Sequence, residues 1–225
     1  MKKYLQQLIR IFLLVIATAT INTNLNAQIN YSENFTSSTY PPAGWALFPV
    51  AGNPIWSRQT TGTNPTCAPH SAGGMSRFNS DQAATGSVQA LVLPLINYTN
   101  RSAAATSISL WIYRNQGPNG ADSLAIYINT AANLTGATRI GAIARDININ
   151  LPNIVTTSGW YQYSFSVPAS FTTATNYILI NGYSRNGNNI FIDDVAWEDF
   201  PPVCTGMPSA GTVSSNPTMI CGGGS

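Results

Sequence analysis

Apolar and polar residues alternate along most of this chain with a period of two. The clearest case is 106–114, where Ile108, Leu110 and Ile112 fall on one side and Ser107, Ser109, Trp111 and Tyr113 on the other. Successive side chains of an extended strand point to opposite faces, so this pattern predicts a half-buried β-strand. Similar runs occur at 31–35, after Trp45, and at 55–60, 75–79, 87–96, 123–130, 138–143, 160–167, 176–184 and 189–197. Turn chemistry separates them: Pro41-Pro42-Ala43-Gly44, Gly117-Pro118-Asn119-Gly120 and Arg185-Asn186-Gly187-Asn188. Residues 61–74, rich in Gly, Pro and Asn, predict a long loop. Pro94 demotes the end of the 87–96 run to an edge or a bend. No helical run of ten residues is visible beyond the N-terminal segment. Roughly nine to eleven short strands with such turns predict an all-β fold, and their number favours a jelly-roll β-sandwich over a seven-stranded immunoglobulin fold.

The first 27 residues change the charge picture. Lys2, Lys3 and Arg10 precede an apolar run, Ile11 to Ile21, which is shorter than the ~20 residues a membrane helix needs. With a cut after Ala27 this reads as a secretory signal peptide. No other run is long or apolar enough to span a bilayer. Removing the segment leaves seven cations, all arginine, against eight acids. The net positive charge of the whole chain therefore gives no basis for a nucleic-acid partner. Abundant Asn, Thr, Ser, Gly and Tyr with few charges suits an exported β protein. Export permits disulfides, and the odd count of Cys67, Cys204 and Cys221 leaves one thiol over.

Candidate chemistry concentrates at 189–199, where Asp193 and Asp194 stand side by side in an apolar strand run. Alternation sends them to opposite faces, so one carboxylate meets the packed side and needs a cation, donors or a metal. With so few cations available, a metal is the economical expectation. The same geometry makes the pair a poor dyad for glycoside hydrolysis, which needs acids facing each other across a cleft. His70 is the single histidine, three residues from Cys67, and no third group is marked to orient a Cys-His pair. Zinc needs about four ligands, which Cys67 and His70 do not supply. No phosphate-binding or dinucleotide motif is present. The chain thus reads as non-catalytic. Trp111 and Tyr113, opposite the Ile108 face, are candidate ligand-binding residues for a sugar, or else packing for a second layer.

Ser32-Glu33-Asn34-Phe35 with Pro41-Pro42-Ala43-Gly44-Trp45, then His70-Ser71-Ala72-Gly73-Gly74 before 75–79, then 89–97, and finally Phe191 to Val195, resemble in order the motifs of a known family. They are similar to the cleaved-adhesin and MAM-like (choice-of-anchor type) domains of secreted Bacteroidetes proteins. Asn97 stands where the family usually has Asp. The resemblance covers about 29–199. It implies a galactose-binding-like jelly roll whose first and last strands lie together, often around a structural calcium. Carried over, it nominates Glu33 with Asp193 or Asp194, and Asn79 and Asp81 as a third side. Two alternatives stand beside calcium. Glu33 and one Asp can pair with Arg77 or Arg58, or backbone amides at a bulge can satisfy the aspartates.

Phe200-Pro201-Pro202 marks a stiff linker. The expected organisation is signal peptide 1–27, jelly roll 28–199, linker 200–203, and at 204–225 the truncated start of a second domain. That last segment resembles the opening of an immunoglobulin-like module, which implies a Cys204–Cys221 disulfide, a free Cys67 and a longer parent chain exported by type IX secretion. The implied role is adhesion or ligand binding, carbohydrate included, on a secreted or cell-surface protein. Extracellular glycans and host or matrix proteins are the implied partners. The alternatives are an accessory domain of a secreted peptidase or glycosidase, and a structural spacer.

Overall fold

A computed structural model describes residues 28–53, 56–101, 106–118 and 122–200. They form eleven strands: β1 Ile29–Glu33, β2 Ala46–Ala51, β3 Trp56–Gln59, β4 Met75–Phe78, β5 Val88–Val92, β6 Ser107–Arg114, β7 Ser123–Asn129, β8 Thr138–Ala144, β9 Gly159–Ser166, β10 Tyr177–Tyr183 and β11 Ile190–Asp199. One sheet runs β3-β4-β11-β6-β9, with β1 also paired to β11; the other runs β2-β5-β10-β7-β8. Every pairing is antiparallel. The protein is an all-β jelly-roll sandwich, and no helix among the described residues is long and apolar enough to cross a membrane. The signal segment, the linker after Phe200, and Cys204 with Cys221 lie outside the described residues.

The core follows from the alternation. Ile108, Leu110 and Ile112 of β6 are fully buried and share one cluster with Leu124, Ile126 and Ile128 of β7, Ile178 and Ile180 of β10, and Ile190, Ile192 and Val195 of β11. Trp45, Trp56 and Trp197 join that cluster. A Cβ on Gly182, near the end of β10, would lie 2.3 Å from the Phe78 ring. Glycine there lets a strand from one sheet accept an aromatic ring from the other. A smaller cluster of Ala90, Val92 and Leu179 lies apart from the main core, on the opposite face of the five-stranded sheet.

The structure departs from simple alternation at three places. β1 ends at Glu33 rather than at Phe35, because Phe35 has φ 53°, outside the strand region. β5 ends at Val92, two residues before Pro94, and Ile96 meets only Asn176 in an isolated bridge. In β11 the register to β6 slips between Asp193 and Ala196, and Asp194 has φ 45°. Three steps on β11 there oppose two on β6, which is a β-bulge. It invalidates the expectation that Asp193 and Asp194 face opposite ways.

Loops at one end are gathered by a buried ion pair. Arg145 Nε donates to Asp122 Oδ2 at 3.2 Å, and both side chains are completely buried. The other carboxylate oxygen accepts from Ser80 Oγ and from the Arg185 amide. Arg145 also donates to the carbonyls of Asn115 and Pro118. Removing one member of such a pair leaves a buried charge without compensation. Asp122→Ala is expected to cost about 3–5 kcal/mol, read as a lower urea midpoint at unchanged slope; an unmoved midpoint would mean the carbonyls alone hold Arg145.

Candidate functional site

The bulge in β11 organises the outer face of the six-stranded sheet. Asp193 pairs in register with Trp111, on the side away from the main core. With the strand turned at Asp194, both carboxylates reach the same loop, residues 60–74, at adjacent positions. Asp193 Oδ2 accepts from the Ser71 amide at 3.0 Å, and its Oδ1 accepts from the Asp194 amide at 2.8 Å. Asp194 Oδ2 accepts from His70 Nδ1 at 2.5 Å. Asp193 is fully buried, so desolvation pushes its carboxyl up to about 6, against the pull of the Ser71 and Asp194 amides. Asp194 and His70 remain 28% exposed at their side chains.

The loop lies on this face because backbone groups tie it down. Gly62 N donates to Cys67 O at 2.7 Å and Asn189 N to Asn64 O at 2.6 Å. Asn189 Nδ2 donates to Thr63 O, and Trp160 Nε1 to Ala68 O at 3.0 Å. His70 is thereby set over Trp111, ring centroids 3.7 Å apart and planes 18° apart. Trp160 meets His70 edge-on at 5.8 Å and Tyr113 at 5.6 Å. Trp111, Tyr113 and Trp160 are each half-buried. The registers Tyr113 to Trp160, Trp111 to Gln162, Ser109 to Ser164 and Ser107 to Ser166 continue this face into a row of small hydroxyls. The result is an aromatic corner at the head of a polar shelf.

Trp111 and Tyr113 therefore do lie together, but not as an open platform, since His70 takes the stacking face of Trp111. Trp160 and His70 complete the corner, and neither stands out in the sequence as part of a ligand face. Alternation in β9 carried the signal for Trp160, which shares its side with Gln162, Ser164 and Ser166, all exposed. Nothing local to His70 marks the ring that it covers.

The residues nominated for calcium do not form one donor set. Glu33 lies in β1 opposite Val195, and its carboxylate accepts from the Phe35 amide. Asn79 donates to Gln82, and Asp81 accepts from Asn64 Nδ2. Asp193 and Asp194 are held by Ser71 and His70 as described. Among the described residues no three His, Cys, Asp or Glu side chains converge as metal ligands. The arginine pairing does not form either. Arg58 donates instead to the carbonyls of Phe35, Thr36 and Gly73, and Arg77 to Ser57 Oγ. Burial pushes the Cys67 thiol up to about 12, far from the thiolate that nucleophilic attack requires.

Two antiparallel sheets in this order, with a loop laid over the outer face of one, define a jelly-roll sandwich. Among solved structures, the K2 cleaved adhesin domain of Lys-gingipain from Porphyromonas gingivalis superposes with TM-score 0.55 at 17% identity, over 75% of this chain and 99% of that one. The K1 cleaved adhesin domain of the same protein gives 0.53 at 16%, over 77% and 99%. At these identities the likeness is one of fold. No protein-family model matches the chain. No curated protein matches it either.

The raised Asp193 carboxyl has a thermodynamic sign. Its folded value lies above the unfolded one, so the folded state binds the extra proton and this group adds stability as pH falls from about 7 toward 4. Asp193→Asn should flatten that part of the stability–pH profile relative to the parent. Parallel profiles for the two proteins would contradict the assignment.

Proposed function

We propose that this domain is a non-catalytic binding module of an exported protein, and that it takes a saccharide at the aromatic corner of the six-stranded sheet. One observation carries the reading: His70, Trp160 and Tyr113 present half-exposed rings beside the His70–Asp194 pair and a row of hydroxyls. Sugars offer apolar C–H faces flanked by hydroxyls, and rings next to hydrogen-bonding groups match both features. Trp111 serves as the floor that holds His70 flat. The fold likeness to cleaved adhesin domains and the charge-poor composition support a secreted or cell-surface setting. Adhesion is the role that best suits a small surface site without a competent nucleophile in reach.

Calcium is not needed for this reading, because the nominated carboxylates already accept bonds from protein donors. Excess chelator should leave the melting midpoint of the purified protein unchanged, whereas a metal held only by the native state would make the midpoint fall.

A glycan array probed with the full chain is the direct test of the site. Trp160→Ala is expected to weaken a glycan found this way by about 2 kcal/mol, roughly thirtyfold in Kd, with the circular dichroism of the parent retained. Equal binding by parent and variant would place the ligand elsewhere.

A further inference from the structure

The opposite side of the sandwich carries a second cavity, unconnected with the aromatic corner. It lies on the outer face of the five-stranded sheet and has a volume of about 350 Å³, within the ~300–1,000 Å³ of small-ligand sites. Its space comes from small side chains, since Ala125 of β7 and Ala142 of β8 stand opposite each other in its lining. Tyr127 and Tyr183 rise beside them and join hydroxyls at 3.0 Å. Arg139 and Arg185 complete the polar wall with Ser123.

These two arginines differ from four of the other five in the sandwich, Arg77 making only a bond to Ser57 Oγ. Arg58, Arg101, Arg114 and Arg145 each donate to two or more backbone carbonyls. Among the described residues Arg139 makes a single 3.4 Å bond, to Gly141 O, and the Arg185 guanidinium makes none. Neither has a carboxylate partner among them; the nearby Asp122 is already neutralised by Arg145.

We propose that this cavity is a binding site for an acidic saccharide unit. Arg139 and Arg185, from different parts of the cavity wall, attract its anionic groups, the paired tyrosine hydroxyls and Ser123 meet its hydroxyls, and Ala125 and Ala142 leave room for the ring. Arginine suits this task because its planar fork matches a carboxylate in two-pronged geometry. Both arginines are exposed, so neutral replacements leave the packing of the sandwich in place.

The test is calorimetric titration of the full chain with trigalacturonate, with its neutral methyl ester, and with sodium sulfate alone. The acid form is expected to bind, to weaken as salt is added, and to lose about tenfold in affinity in Arg139→Gln and again in Arg185→Gln. The ester should bind at least about tenfold more weakly than the acid. Trp160→Ala should bind the acid form as the parent does, which keeps this site separate from the aromatic corner. No binding of the acid, equal binding of acid and ester, or arginine variants that bind like the parent would each overturn the proposal. Sulfate alone binding as tightly as the sugar acid would reduce the cavity to a general anion site and overturn saccharide recognition.

Discussion

Backbone carbonyls in the loops of a helix-free sandwich have no ladder to join, and arginine guanidinium groups supply their donors. Arg58 gathers the carbonyls of Phe35, Thr36 and Gly73, and Arg101 those of Val167 and Pro168. Arg114, buried within the sandwich, gathers Asp146, Ile149 and Asn153, and Arg145 takes Asn115 and Pro118. A planar group with five donors can serve several carbonyls at once, which lysine cannot do in the same fixed geometry. This accounts for arginine at four of the seven cations beyond the N-terminal segment, all of which are arginine. It also explains why only two ion pairs form among the described residues, one of them through histidine. Four of the seven cations hold loop backbone, and most of the carboxylates described accept from amides and hydroxyls.

The bulge at Asp194 sets what the loops then cover. A regular β11 would have sent one of the two aspartates into the apolar interior, where no donor waits. The extra residue turns both toward the 60–74 loop, and Ser71 and His70 meet them there. Loop, bulge and aromatic corner form one unit, because the same His70 ring stacks on Trp111 and holds Asp194 through its Nδ1. The strained φ of Asp194 persists because the residues on either side of it stay paired in the sheet.

Most of the fold was legible in the sequence. Apolar runs separated by turn residues predicted nine to eleven strands against the eleven observed, and the boundaries moved by a few residues where Phe35 and Pro94 interrupt extended backbone. The pairing of first with last strand came from the family resemblance and is present between β1 and β11. The site was legible only in part. Trp111 and Tyr113 were visible as a face, but the loop laid over that face was not, because a 14-residue segment of Gly, Pro and Asn carries no period to reveal where it docks. The bulge was weighed as one way to satisfy the aspartates, but residue types do not locate one; it arises from the register of β11 against β6. The second cavity escaped for the same reason. Ala125, Ala142, Arg139 and Arg185 come from three separate segments, and no local pattern brings them together.

The union of β1 and β11 has a mechanical consequence. Ile29 lies opposite Asp199, so the chain enters and leaves the sandwich side by side at the same end of one antiparallel ladder. Tension transmitted through the flanking chain pulls these two strands apart from that end. It loads their hydrogen bonds one after another rather than all together, as in an opening zipper. The stacked rings of Tyr31 and Trp197, third in the ladder from that end, are the first large side-chain contact such a pull has to separate.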